Sequence, residues 1–348
     1  MMRGKRRPTP TLLRLTRSPE ARLIAGWAVI GGAALAAFAS DRDGPDAKQE
    51  AKERKAEYRL EADETPKEGI SRVARGELDL TIGLLETVPN GDGGAEAVHE
   101  ARKALKRLRA LLRLSRPALD DERYRRENVI LRDAGRELSG ARDAQVMVET
   151  LDSLIERFGD ELPPGTGTRL RTQLQAEADR AQSTGPDSYE AVRDVLRGAR
   201  TGVSSWPLPA HDGRPSLAEG FERIYRRGRR ARRRAKAQPI PENLHELRKR
   251  AKDLWHASQL LEPACPDRFS QLAKDAHRLS DLLGDDHDLT VLLEYARAHP
   301  ALLPHGELVH LEKVIASQGQ SLRGQALDCA AEIYHRKPKR MVKRLALR

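Results

Sequence analysis

Apolar side chains in this chain recur every three to four residues and almost never alternate with polar ones, the pattern of amphipathic helices rather than sheets. The spacing predicts helices over residues 67–87, 95–115, 121–157, 167–183 and 187–200, then over 216–237, 241–261, 267–284, 287–298 and 306–336, with a basic tail. Breakers separate them: Pro89-Asn90-Gly91 with Gly93-Gly94, Pro117, Pro163-Pro164-Gly165 and Gly185-Pro186. Residues 201–215, with Pro207, Pro209, Gly213 and Pro215, read as the connection between two halves, 66–200 and 216–345. The expected fold class is all-α.

Ahead of this region the pattern changes. Residues 1–22 are basic, and Leu23 to Ala39 form 17 residues without charge. That is the short edge of what a bilayer span needs. Three readings stand side by side: a membrane tether through Leu23–Ala39, a signal peptide whose Ala37-Phe38-Ala39 resembles a small-x-small cleavage site, and an apolar helix packed on protein. Lys and Arg lie densely on both flanks, so charge sets no orientation. Residues 40–66 read as a charged linker with a helix at 46–56. Residues 1–56 therefore stand apart from a helical domain at 57–345.

One basic, histidine-led phrase occurs twice. The first copy is Val98-His99-Glu100-Ala101-Arg102-Lys103-Ala104-Leu105-Lys106, the second Leu244-His245-Glu246-Leu247-Arg248-Lys249-Arg250-Ala251-Lys252. A phrase running from a leucine to an aspartate follows each, Leu138 to Asp143 and Leu283 to Asp288. The His-to-Asp separation is 44 residues in one copy and 43 in the other. Matched internal spacing implies two copies of one structural unit.

On a helical wheel His99, Arg102, Lys103, Lys106 and Arg113 share one arc, with Ala101, Ala104, Leu105, Leu108, Leu111 and Leu112 opposite. In the second copy His245, Arg248, Lys249, Lys252 and His256 share an arc, backed by Leu247, Ala251, Leu254 and Leu261. The helix before it is more basic still: residues 223–236 hold nine Lys/Arg and no acid. Arg223, Arg226, Arg227, Arg230 and Arg234 form a stripe. Arg72 and Arg75 are the weaker equivalent in the first half. Like charges at i,i+4 repel, so such a stripe calls for an external anion.

Charge and composition sharpen this reading. Lys+Arg number 63 against 52 Asp+Glu, a net +11, and aromatics make up only 4%. The excess predicts an acidic partner. Arg forks and Lys ammoniums both match phosphate oxygens, and histidine adds a proton-dependent donor. Nucleic-acid readers add aromatics that stack on bases, and only Trp255 lies near an arc. The favoured ligand is a base-free phosphate chain, with RNA or DNA on the same surface as the alternative. Two cysteines, Cys265 and Cys329, with no Cys-x-x-Cys pair, argue against a disulfide scaffold and for a cytoplasmic protein. The Asp285-Asp286-His287-Asp288 cluster reads as a helix-end cap; neighbouring positions point apart, so no metal is assigned. There is no P-loop and no HExxH, and no cofactor or catalytic residue is expected. A metal-dependent phosphohydrolase remains the weakest alternative.

The paired phrases, in this order, resemble the CHAD family, the conserved histidine α-helical domain. The likeness runs over roughly 57–345, from Tyr58-Arg59-Leu60 and Gly69–Ala74, through both histidine helices, to a closing helix at Tyr334–Arg344. It implies two pseudo-symmetric four-helix-bundle-like halves whose basic helices line a groove. It also implies binding of inorganic polyphosphate, with targeting to polyphosphate granules. The expected location is cytoplasmic, at such granules or anchored to a membrane through the apolar segment. The likeness carries binding roles to Arg72, His99, Arg102, Lys103, Lys106, Arg107 and Arg109, and to Arg223, Arg226, Arg227, Arg230, His245, Arg248, Lys249 and Lys252. The chain departs from symmetry where Asp253 and Trp255 stand opposite Arg107 and Arg109, and where His287 stands opposite Arg142. Asp143 and Asp288 are expected to orient basic side chains. Some relatives carry a triphosphatase-type barrel with a Glu-x-Glu-x-Lys strand, and this chain has no such strand.

Overall fold

A computed structural model describes residues 57–345, apart from 62, 89–93, 139, 183–186 and 209–213. The apolar segment, the linker at 40–56, the breakers at 89–93 and the side chains of Arg142 and Asp143 lie outside the described residues. Those residues hold eleven α-helices and no strand: α1 Pro66–Thr87, α2 Gly94–Leu114, α3 Asp121–Glu137, α4 Gly140–Phe158, α5 Thr168–Gln182, α6 Asp187–Gly202, α7 Arg214–Ala237, α8 Pro241–Leu260, α9 Pro266–Ala298, α10 His305–Ile333 and α11 Pro338–Arg344. The fold is all-α. None of the described helices is long and apolar enough to cross a membrane.

Local chemistry sets the helix starts. Thr65 Oγ1 accepts the Glu68 N–H at 3.3 Å while the Glu68 carboxylate accepts the Thr65 N–H at 2.9 Å, a capping box with Pro66 in the first turn. Asp120 Oδ1 accepts the Arg123 N–H at 2.7 Å and so starts α3. Pro241, Pro266 and Pro338 fill first turns, where a missing N–H costs nothing.

Two sequence expectations are corrected. Residues 121–157 form two helices: α3 ends at Glu137 and α4 begins at Gly140. Conversely, 267–284 and 287–298 are one continuous helix, α9, so the Asp285–Asp288 cluster lies mid-helix and caps nothing. Gly284, where the first of those two helices was expected to end, serves packing: a Cβ there would lie 2.8 Å from an Arg248 guanidinium nitrogen.

Helices α1, α2, α3 and α6 pack on one another, as α7, α8 and α9 do with α10 and α11. One apolar core runs through both sets, from Leu78 and Leu108 through Phe221 and Leu254 to Tyr334. Leu108, Leu247 and Leu254 are at most 1% exposed, each contributing roughly 1.5–3 kcal/mol by burial. A second cluster joins Leu151, Leu154 and Leu174 of α4 and α5 to Leu292, Leu311 and Ile315 of α9 and α10.

The two histidine helices, α2 and α8, pack directly against each other. The leading segment locks their seam. Tyr58, 2% exposed, donates its hydroxyl to the Arg107 carbonyl at 2.9 Å and sets its ring edge-on to His256 at 6.3 Å. The Leu60 N–H donates to the Leu260 carbonyl at 3.0 Å, and Arg59 meets Glu262 at 2.7 Å.

Candidate polyanion-binding seam

Lys106 of α2 and Lys252 of α8, equivalent positions in the two phrases, act on each other electrostatically across the seam. Both are half-buried. The Lys252 ammonium is driven well below the usual lysine range, by desolvation first and then by Arg248 and Lys106; Asp288 and Asp281 of α9 offset part of this. His245 and His287 stand beside it with ring centroids 5.6 Å apart. Burial, then Lys249 and Arg248, pushes His245 down to about 4. Burial, then Arg248, His245 and Lys252, pushes His287 down to about 3. Both rings are therefore neutral near pH 7 and ready to gain a proton when an anion arrives.

The acids behind this centre come from α9. Desolvation, with Asp288 and Asp281 beside it, pushes Asp285 up to about 7. Asp286, raised by burial to about 6, faces Arg323 at 3.5 Å. Arg248 is fully buried, its charge facing Asp288, Asp285 and Asp281. Arg102, its equivalent, is 4% exposed. These two arginines were expected on the ligand face. Their burial makes them supports of the seam, and contact with solvent falls to the lysines and histidines.

Lys103 and Lys249 sit on the open side, each paired three residues back, with Glu100 at 2.6 Å and Glu246 at 2.8 Å. Such half-exposed surface pairs are worth little and exchange readily for a ligand. His99 is half-buried on the same arc of α2.

Several expected ligand residues are bound up elsewhere. Arg72 clasps the leading segment through Glu64, at 2.6 and 2.9 Å, and the Arg59 carbonyl at 2.7 Å. Arg107 holds the buried Glu77 of α1 at 2.8 Å and lies over the Tyr58 ring at 5.9 Å. Arg113 crosses from α2 to Asp253 of α8 at 3.0 Å. Arg109 and Arg227 act electrostatically on that aspartate and on Arg113, and Arg227 also on Arg250. On α7, Arg226 pairs with Glu222 at 2.6 Å, Arg230 and Arg234 are exposed, and Arg223 is half-buried, as is Arg75 on α1. Sequence reasoning missed the part played by α9: Asp281, Asp285 and Asp288 follow i, i+4, i+7 spacing, a legible stripe only if the helix continues through Gly284.

Among the described residues no group of three or more His, Cys, Asp or Glu is placed to hold a metal ion. Trp255, the aromatic nearest the arc, is covered by His256 at 4.5 Å and by His277 at 3.8 Å between ring centroids. The arrangement is a crowded set of ammonium, guanidinium and imidazole donors, suited to binding a polyanion.

A family model, the CHAD domain, matches residues 84–297, more than half of the chain. The chain belongs to the CHAD domain family, which is associated in general with polyphosphate binding. No curated protein matches the sequence.

Proposed function

We propose that this chain binds inorganic polyphosphate along the α2–α8 seam, without turning it over. Lys106, Lys252, Lys103 and Lys249 supply the contacts, with His99 and His245 as further donors. The observation that carries this reading is the electrostatic coupling of Lys106 and Lys252, the same position in both copies, with Lys252 beside two imidazoles lowered by burial first and then by the cations of α8. Like charges in a half-buried site repel by as much as about 4 kcal/mol at 4 Å and an effective dielectric of 20. A string of phosphates relieves that repulsion at several points at once. The covered faces of Trp255 leave little for a base to stack on, which favours a base-free chain. Under this reading the two phrases belong to two repeated halves, 66–200 and 216–345.

Competition tests the proposal. Long-chain polyphosphate is expected to displace single-stranded RNA from the full chain at equal phosphate concentration, while RNA displaces polyphosphate poorly. The reverse order supports the nucleic-acid reading instead. Phosphate released at substoichiometric protein with Mg²⁺ or Mn²⁺ would overturn the non-catalytic part.

A further inference from the structure

Several arginines outside the lysine seam share one aspartate. Arg113 of α2 and Arg250 of α8 contact Asp253, and Arg109 of α2 and Arg227 of α7 act on it electrostatically. We propose that they form a second anion site that takes one compact phosphate dianion, either free orthophosphate or the terminal group of a phosphate chain.

Charge arithmetic is the first support. Asp253, 6% exposed, is shared by Arg113 at 3.0 Å and Arg250 at 2.6 Å. Glu246 meets Arg250 at 3.0 Å but also serves Lys249 at 2.8 Å. Four guanidiniums thus face two carboxylates, one of them divided, which leaves about two positive charges for a dianion to balance. Arg132, which also acts on Arg109, has its own carboxylate in Asp133 at 2.8 Å. Burial and neighbouring guanidiniums push Arg109 down to about 10 and lower Arg227 as well, the mark of cations crowded against each other in a partly dry site.

Geometry is the second. The donors sit on three helices, α2, α7 and α8, and forks carried by separate elements suit a tetrahedral anion better than a row on one helix. The Tyr334 hydroxyl, fully buried and without a hydrogen-bond partner among the described residues, acts on both Asp253 and Arg250. It lies against Gly228, where a Cβ would come within 2.4 Å of it, next to Arg227. A buried hydroxyl of this kind normally has a partner, and an anion oxygen can supply one. Internal phosphates of a chain carry one charge each, whereas orthophosphate and a chain end reach two. The charge balance therefore selects ends over middles.

The test is thermal unfolding of the full chain in orthophosphate against chloride at equal ionic strength. Orthophosphate is expected to raise the melting temperature. Linear tripolyphosphate, which has ends, is expected to raise it more than cyclic trimetaphosphate, which has none. The double substitution Arg109→Gln with Arg227→Gln should melt no lower than the parent in chloride, because it relieves like-charge crowding, yet bind orthophosphate about tenfold or more weakly. If that variant fails to fold, Arg109→Lys with Arg227→Lys keeps the charge, removes the forks and should still diminish the phosphate shift. Lys106→Ala with Lys252→Ala separates this site from the seam: it should lose long-chain binding and keep the orthophosphate shift. No phosphate-specific shift in the parent, a full shift in either folded arginine variant, a shift lost with the lysines, or equal effects of the linear and cyclic triphosphates would each overturn the assignment.

Discussion

Helices α2 and α8 carry the same phrase, and they differ where the fold uses them internally. His99 and His245, Lys103 and Lys249, and Lys106 and Lys252 keep their chemistry in both copies and lie on or beside the seam. Arg107 and Asp253 occupy equivalent positions with opposite charge, and each is buried against a partner of opposite sign, Glu77 for one and Arg113 with Arg250 for the other. Charge kept in both copies does not by itself mark the ligand face, since Arg102 and Arg248 are both buried. The positions that diverge, Arg107 and Asp253, have been taken up by ion pairs inside the fold.

The comparison breaks most sharply at its internal positions. Glu77→Ala removes the partner of Arg107, whose side chain is 16% exposed, and leaves a mostly buried cation. A loss of about 3–5 kcal/mol is expected in urea unfolding; a loss under about 1 kcal/mol would show that the pair is solvated. Next in size is the seam itself. Lys106→Ala with Lys252→Ala should cost two charge-assisted contacts, roughly 3–6 kcal/mol of polyphosphate affinity, with unfolding unchanged or slightly delayed because mutual repulsion is gone. Calorimetry and circular dichroism on one sample separate the two.

Acidity sharpens the difference between seam and interior. His245 faces Lys249, Arg248, Lys252 and Glu246 on α8 and His287 on α9; Lys106 reaches the centre from α2, and Asp281, Asp285 and Asp288 approach from α9. In the free chain His245 and His287 sit at about 4 and about 3, and a bound polyanion raises both. Binding therefore takes up protons, and affinity should rise as pH falls from 8 to 6. Asp285, at about 7, loses its repelling charge over the same window and acts in the same direction. A gain of about tenfold is expected from one proton taken up over about one pH unit; titrations in two buffers of different ionisation enthalpy count the protons, and none taken up would contradict this. Without ligand the histidines have the opposite consequence. Their folded pKa lies below 6.5, so stability falls as pH drops below 6.5 and continues to fall towards about 4.

The smallest effects belong to the open side. Lys103→Gln and Lys249→Gln each break a half-exposed i,i+3 surface pair, so stability should shift by no more than about 0.5 kcal/mol. Each should flatten the salt dependence of polyphosphate binding by about 0.7–0.9 in the log–log slope. Larger losses of stability would place these lysines in the fold and not on its surface.

Most of the helices were legible because apolar spacing and prolines mark them twice over. The errors lay in where long helices break. The expected break after Gly284 is absent, and close approach of Arg248 is what requires glycine there; a break falls instead between Glu137 and Gly140, inside the helix expected over 121–157. The site was legible to the same depth. The wheel found the lysines and histidines, because an amphipathic arc depends only on local spacing. It could not find the burial of Arg248, the capture of Arg107 by Glu77 or of Arg113 by Asp253. Each depends on a residue 30 or more positions away, brought close by packing alone.

The most direct test of the central claim is the salt dependence of long-chain polyphosphate affinity for the full chain, with and without Lys106→Ala and Lys252→Ala. The seam predicts a steep loss of affinity with salt in the parent, and a weaker and flatter dependence in the variant, its slope reduced by about 1.4–1.8. The same affinity and slope in both proteins would contradict it.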